Sequence, residues 1–323
     1  MLLDRRALLT GLAAAALPTL ARAQEWTPPA PDQELRVPVR GGKIYLRING
    51  DLKSPHLPVV FAHGGPGGNH AGSLATLQMA PERAVILYDQ LDSGLSDHPN
   101  DPANWTVERF VSEVDAIRAT LGLDRFHLVG HSWGSTIALE YAGRQPGGLK
   151  SVTLGSPLIS TKSWQRSTTA DLNRLPRSVV RTINASEASG ATDTAAYGLA
   201  MGTFYDHYMS PVAPPPYFRT YSQAHGLGLN QSLYQGMWGS GEIRATGSLK
   251  TYDGEALLPK VTAPTLFICG QHDEMTADVL KPMVAKVRGA KLVVIPGAGH
   301  ALPSTHAAIY VAALRDHLGR HDI

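Results

Sequence analysis

The chain has 323 residues and a hydrophobic content of 43%, which suits one large packed domain, or a core with an insertion, and excludes general disorder. Basic and acidic residues nearly balance, at 29 and 27, so charge gives no case for nucleic acid or an anionic membrane as partner. The lone cysteine, Cys269, excludes an internal disulfide and reads as a packing residue within an apolar run.

Residues 1–23 read as an export signal. Arg5 and Arg6 precede an apolar run over 7–20, and Ala21-Arg22-Ala23 has the small-x-small form of a cleavage site. The paired arginines suit a twin-arginine signal, cleavage before Gln24 and a periplasmic or secreted protein. That run is short for a membrane span and no later run is longer, so no stable membrane association is expected after cleavage. Cleavage would remove three arginines and one aspartate and leave 26 basic and 26 acidic residues.

Apolar and polar residues alternate over 33–40 and 43–49, which predicts an antiparallel edge pair turning at Gly41-Gly42. Short continuous apolar runs follow at 57–62, 84–88, 126–129, 151–154, 265–269 and 292–295. Runs of this kind fit strands buried on both faces of a parallel sheet. Helical periodicity occupies 107–121, where Val107, Phe110, Val111, Val114, Ile117 and Leu121 share a face. Further helices are expected from about Trp133 over 135–142, over 282–287 and over 307–318. Alternating strand and helix implies an α/β doubly wound core. The rhythm breaks over 157–248, which is rich in aromatics and carries the rigid stretch Pro211-Val212-Ala213-Pro214-Pro215-Pro216. A mainly helical cap is expected there, over the sheet's C-terminal edge, with 24–156 and 249–323 as the core. Its aromatics would line a pocket or make the cap's own small core.

Gly130-His131-Ser132-Trp133-Gly134 lies between the run 126–129 and the helix 135–142. Gly-x-Ser-x-Gly occurs often by chance, but between a strand and a helix it has the form of a nucleophile elbow. A serine needs a base, and the base needs an orienting acid. Asp273 follows the run 265–269 and His300 follows the run 292–295, so both fall in loops at strand C-terminal ends beside Ser132. The chain order Ser, Asp, His is the one expected of α/β-hydrolases. With thirteen histidines a lone one means little, but the joint placement of three residues is far harder to obtain by accident. Rate should rise with pH through a group near neutrality as His300 loses its proton. The oxyanion hole needs two backbone N–H groups, expected from Trp133 and from Gly65 in the loop His63-Gly64-Gly65-Pro66-Gly67-Gly68. No Gly-Lys-Ser/Thr ending follows that loop, which argues against a nucleotide site. The chemistry calls for no metal and no organic cofactor.

His63-Gly64-Gly65-Pro66-Gly67, Tyr88-Asp89-Gln90, Gly130-His131-Ser132-Trp133-Gly134 and Asp273-Glu274 together resemble the proline iminopeptidase family, which are serine aminopeptidases of the α/β-hydrolase fold. The resemblance implies Ser132, Asp273 and His300 as the triad. It also implies that acidic residues recognise the substrate's free amino group, with Glu274 and Glu242 at matching positions. A protonated amine in a partly dry pocket does need a carboxylate partner. The alternative for Glu242 is a helix N-terminal charge or a salt bridge within the lid. Two departures stand out: Asp92 occupies a position where the family usually carries glycine, and the cap lacks the Trp-x-x-Trp-Glu element of one branch. The expected activity is release of an N-terminal residue, proline or a small apolar one, from a small peptide or amide. The rivals are an esterase or lactonase with the same triad, and a non-catalytic binding protein on a hydrolase scaffold. Against the latter, no triad member is missing.

Overall fold

The computed structural model describes residues 26–322; the export-signal expectation for 1–23 lies outside them. Eight strands form one sheet: β1 (Gln33–Val39), β2 (Gly42–Asn49), β3 (Val59–Ala62), β4 (Val85–Asp89), β5 (Phe126–His131), β6 (Leu149–Gly155), β7 (Thr265–Gly270) and β8 (Lys291–Ile295). Their spatial order is β1-β2-β4-β3-β5-β6-β7-β8. All eight fall on the expected runs. β1 and β2 form the antiparallel edge pair, with Leu35 opposite Leu46 and a turn at Gly41, whose φ of 97° favours glycine. β2 is also antiparallel to β4, and the six strands from β3 onward run parallel. Every residue of β3, β4 and β7 is buried, as continuous apolar runs require of strands covered on both faces.

Helices cover the two faces. α1 (Val107–Leu121) buries Phe110, Val111, Val114 and Ile117. It starts where Thr106 accepts the Arg109 N–H and stops at Gly122, whose φ of 63° is left-handed. With α2 (Trp133–Gly143) it packs one face of the sheet. The other face is packed by the last helix, Ala307–Gly319, and by a buried 3₁₀ segment, His70–Met79, that the hydrophobic pattern did not reveal.

Between β6 and β7 come five helices: α3 (Thr161–Leu172), α4 (Arg177–Ser189), α5 (Ala195–Tyr208), α6 (Pro216–Ala224) and α7 (Gln231–Met237). Their aromatics divide. Tyr197, Phe204 and Tyr208 form a small core with Ile183 and Ile243. Trp164 and Trp238 join the main core, while Tyr217, Phe218 and Tyr221 lean on the opposite face. Beyond the cap come α8 (Ala277–Val284), α9 (Leu302–Thr305) and α10, the helix Ala307–Gly319. The helix expected over 282–287 is displaced: α8 begins at Ala277 and contains Pro282. A proline suits a first turn, but here burial of Leu280 and Met283 outweighs one missing hydrogen bond. Among the described residues, no helix is long and apolar enough to cross a membrane.

The chain end is tied to the sheet through one carboxylate. Asp322 accepts from both terminal nitrogens of buried Arg83 (2.9 and 3.0 Å), from the Leu57 N–H (3.0 Å) and from His56 Nδ1 (2.7 Å). Burial opposes its ionisation, but hydrogen bonds from Arg83, His127 and His56 overcome that and hold the carboxyl below the usual carboxylate range. A depressed acid stabilises the fold above the unfolded pKa of about 3.9, and that contribution is lost as pH falls below it. Asp322→Asn should therefore lower unfolding free energy by about 1.5–3 kcal/mol near pH 7, read by urea denaturation, with the difference from wild type shrinking in acid.

Candidate active site

The elbow is built by crowding. A Cβ on Gly130 would strike the Gly134 carbonyl, and one on Gly134 would strike the Ala62 carbonyl at the end of β3. Between them Ser132 takes φ 55° and ψ −123°, a strained conformation for any residue with a side chain. Hydrogen bonds hold it there: the Ser132 N–H donates to the Gly155 carbonyl (2.8 Å), and Ser135 Oγ donates to the carbonyls of Gly130 (2.9 Å) and Gly155 (3.0 Å).

The glycine-rich loop packs directly on this serine. A Cβ on Gly64 would lie 3.0 Å from Ser132 Cβ. Gly65, at φ 121°, folds so tightly that a Cβ there would sit 2.6 Å from the Gly68 nitrogen. Among the described residues, the N–H groups of Gly65 and Trp133 have no acceptor, so both are free to meet a developing oxyanion. Gln90 ties the two segments together. Its side chain donates to the His63 carbonyl (2.9 Å) and accepts from Trp133 Nε1 (2.8 Å), and its N–H donates to His63 Nε2 (3.0 Å). The motifs around residues 63, 90 and 133 are thus one hydrogen-bonded unit. Asp92 occupies a left-handed φ of 63° that glycine favours. Aspartate is tolerated because its side chain accepts from Trp105 Nε1 (2.9 Å) and the Asn100 N–H (2.7 Å).

Asp273 and His300 come together as expected, with His300 Nδ1 donating to Asp273 Oδ1 (2.9 Å). Asp273 is fully buried and also accepts from Ser156 Oγ (2.5 Å) and from the N–H groups of Gly270 (3.0 Å) and Met275 (3.2 Å). Burial opposes its charge, but the His300 imidazole and these donors keep the carboxyl below its usual range. The His300 ring lies between His131, at 5.0 Å between centroids, and Trp164, edge-on at 5.4 Å. Its backbone is held by the cap: the N–H groups of His300 and Ala301 donate to the carbonyls of Tyr208 (2.7 Å) and Met209 (2.8 Å). Residue order gave no signal for Ser156, and marked Trp164 and Tyr208 only as aromatics of the expected cap; their approach to the triad comes through the fold.

Ser132, His300, Glu242 and Glu274 all line one cavity of about 770 Å³, walled by cap residues such as Tyr197, Met201, Tyr205 and Phe218. Glu274 is fully buried, and among the described residues neither of its oxygens has a hydrogen-bond donor. Glu242 accepts from Tyr234 Oη (2.7 Å). The lid ion pair nearest to it in sequence is made by other residues, Arg244 and Glu187 (2.7 Å). Burial pushes both glutamates above the usual carboxylate range; Glu242 adds to the effect on Glu274, while Tyr234 opposes it on Glu242. The near-neutral titration expected of His300 is displaced. Burial alone would lower it, but Glu274, then Asp273 and Glu242, push it up to about 9.

Such a site can pass a proton from serine to imidazole, with the Asp273 carboxylate orienting the ring and stabilising the imidazolium that forms, next to a pocket lined by two buried glutamates. Ser132→Ala should abolish both turnover and labelling by a serine-directed phosphonate, with thermal unfolding unchanged. Ser156→Ala should lower kcat on the order of tenfold, since Asp273 loses a charge-assisted hydrogen bond worth about 1.5–3 kcal/mol. Steady-state kinetics beside a melting curve separates that from loss of fold.

Comparison with known proteins agrees with this geometry. Residues 58–307 match the family model of the alpha/beta hydrolase fold. A proline iminopeptidase of Heyndrickxia coagulans is 34% identical over 87% of this chain and 97% of its own length. One of Levilactobacillus brevis is 35% identical over 90% of this chain and 97% of its own. The crystal structure of proline iminopeptidase from Mycobacterium smegmatis superposes with a TM-score of 0.82, at 30% identity, over 90% of this chain and 99% of that one. Sequence, fold and site geometry agree: the chain belongs to the proline iminopeptidase family of α/β-hydrolases.

Proposed function

We propose that the protein is a serine aminopeptidase that releases an N-terminal residue, proline or a small apolar one, from short peptides or amino-acid amides. The core of 24–156 and 249–323 supplies the chemistry, and the cap of 157–248 supplies most of the pocket wall. Ser132 Oγ attacks the scissile carbonyl while His300 Nε2 takes its proton. Asp273 holds the imidazole at Nδ1. The oxyanion that forms is stabilised by the N–H groups of Gly65 and Trp133. His300 then gives the proton to the leaving amine as the carbon–nitrogen bond breaks, leaving an acyl-enzyme on Ser132. A water, deprotonated by His300, releases the acyl group and restores the serine.

The observation that carries the aminopeptidase reading is Glu274: a fully buried carboxylate without a hydrogen-bond donor, lining the cavity that holds Ser132. A buried carboxylate with no donor is costly unless a ligand supplies one. A substrate ammonium held between Glu274 and Glu242 does so, and selects an unblocked N-terminus. Independently of that reading, the paired Arg5 and Arg6, the apolar run over 7–20 and Ala21-Arg22-Ala23 support export to the periplasm or outside, with residues 1–23 removed as a twin-arginine signal. Sequencing of the mature N-terminus tests that; Met1 on the functional protein would refute it.

Glu242→Gln preserves size and hydrogen bonding while removing charge. Activity on a free-amine prolyl arylamide should fall roughly ten- to a hundredfold, as expected for a charge-assisted bond of about 1.5–3 kcal/mol. Activity on an N-blocked ester should barely change. Equal losses on both would mean that Glu242 acts through the cap's structure, and an esterase reading would then be preferred.

A further inference from the structure

The His300 ring is placed between more negative charge than one triad needs. Its Nδ1 faces Asp273 Oδ1 at 2.9 Å and Glu274 Oε2 at 3.5 Å. Asp273 is saturated by Ser156 and two backbone N–H groups, whereas Glu274 has no hydrogen-bond donor among the described residues. Glu242, beyond α7, takes its hydrogen bond from the uncharged Tyr234. Asp171 on α3 adds a further buried carboxylate on the Asp273 side, with the exposed Arg174 as its partner. His131 supplies no compensation: burial, then the neighbouring His300, lower its pKa to about 3 and keep it neutral. Among the described residues lining the cavity there is no lysine or arginine.

We propose that the resting enzyme holds one extra proton, distributed between the Glu274 carboxyl and His300 Nε2, and that the substrate's ammonium at Glu274 displaces it and thereby frees His300 to act as base. This rests on the reading of Glu242 and Glu274 as the amine subsite. Burial and then the neighbouring Glu242 hold Glu274 protonated above its ordinary range, while Glu274, Asp273 and Glu242 raise His300 against the effect of its own burial, so that the carboxylate cluster with no fixed cation acts on both. The incoming ammonium supplies the missing charge and donates to the Glu274 oxygens. The surplus then vanishes and the shared proton leaves to solvent. His300 is left neutral, with Nδ1–H on Asp273 and Nε2 open toward Ser132. The substrate amine keeps its own protons throughout. Discrimination against blocked substrates follows at the chemical step as well as at binding, because a substrate without an ammonium meets a His300 that still carries its proton.

Phenylmethylsulfonyl fluoride is uncharged and needs His300 as base to react with Ser132. Its inactivation rate with ligand-free protein should rise with pH around a midpoint above about pH 8. In Glu274→Gln the midpoint should fall by about one pH unit or more. Prolinol, a free amine that cannot be hydrolysed, should release on the order of one proton on binding, read by calorimetry near pH 7 in two buffers of different ionisation enthalpy. N-acetylprolinol should release none. A ligand-free midpoint at the ordinary histidine value overturns the proposal, as does prolinol binding without proton release. If prolinol fails to bind at all, the amine subsite falls together with the proposal, so whether prolinol binds tells the two failures apart.

Discussion

The backbone at Gly134 lies so close to the Ala62 carbonyl at the end of β3 that no side chain fits between them. That approach presses α2 against the sheet and lifts Ser132 into its strained conformation above the strand ends. It also turns the Trp133 N–H outward and brings the Trp133 indole within reach of Gln90, which in turn holds the His63–Gly68 loop. Nucleophile, oxyanion donors and loop are therefore consequences of one close contact. The strain, of order 1–3 kcal/mol, is sustained by the buried hydrogen bonds of Ser135 and by dense packing beneath the elbow.

Around this rigid centre the electrostatics are deliberately unbalanced. Asp273 is stabilised as an anion by donors on several sides, and Glu274, the next residue, by none. Adjacent carboxylates thus have opposite surroundings: Asp273 is hydrogen-bonded to the imidazole and to several donors, whereas Glu274 lines the cavity beside it without one among the described residues. Burial makes each unpaired charge expensive, and the proposed amine subsite rests on that cost.

The cap is tied to the chemistry as well as to the pocket. The carbonyls of Tyr208 and Met209, at the end of α5, hold the backbone of His300 and Ala301, while Tyr205 on the same helix lines the cavity with Glu242. Gly299 is needed because a side chain there would reach within 2.5 Å of the Tyr208 carbonyl. A shift of α5 would thus move the base and the recognition wall together.

Much of this architecture was legible in residue order. Strands covered on both faces must be continuously apolar, and all six such runs became strands, although β8 lies at the sheet edge and is part-exposed where burial on both faces was expected, because no strand covers its outer side. A parallel sheet puts its loops at strand ends, so the spacing of Ser132, Asp273 and His300 was enough to expect them at one edge. Local patterns misled where tertiary burial outweighed them, as at Pro282 within α8, and were silent at the 3₁₀ segment His70–Met79. Asp92 was visible as a departure, but its tolerance depends on Trp105 and Asn100 reaching it through space. The sequence alone determined the fold, the elbow and the placement of Ser132, Asp273 and His300 at one edge of the sheet, because these follow from periodicity and from order along the chain. Only the tertiary structure decided that Ser156 supports Asp273, that Glu274 lacks a donor and that His300 faces two carboxylates at once, because hydrogen bonds and charge interactions depend on distance and burial, which residue order does not carry.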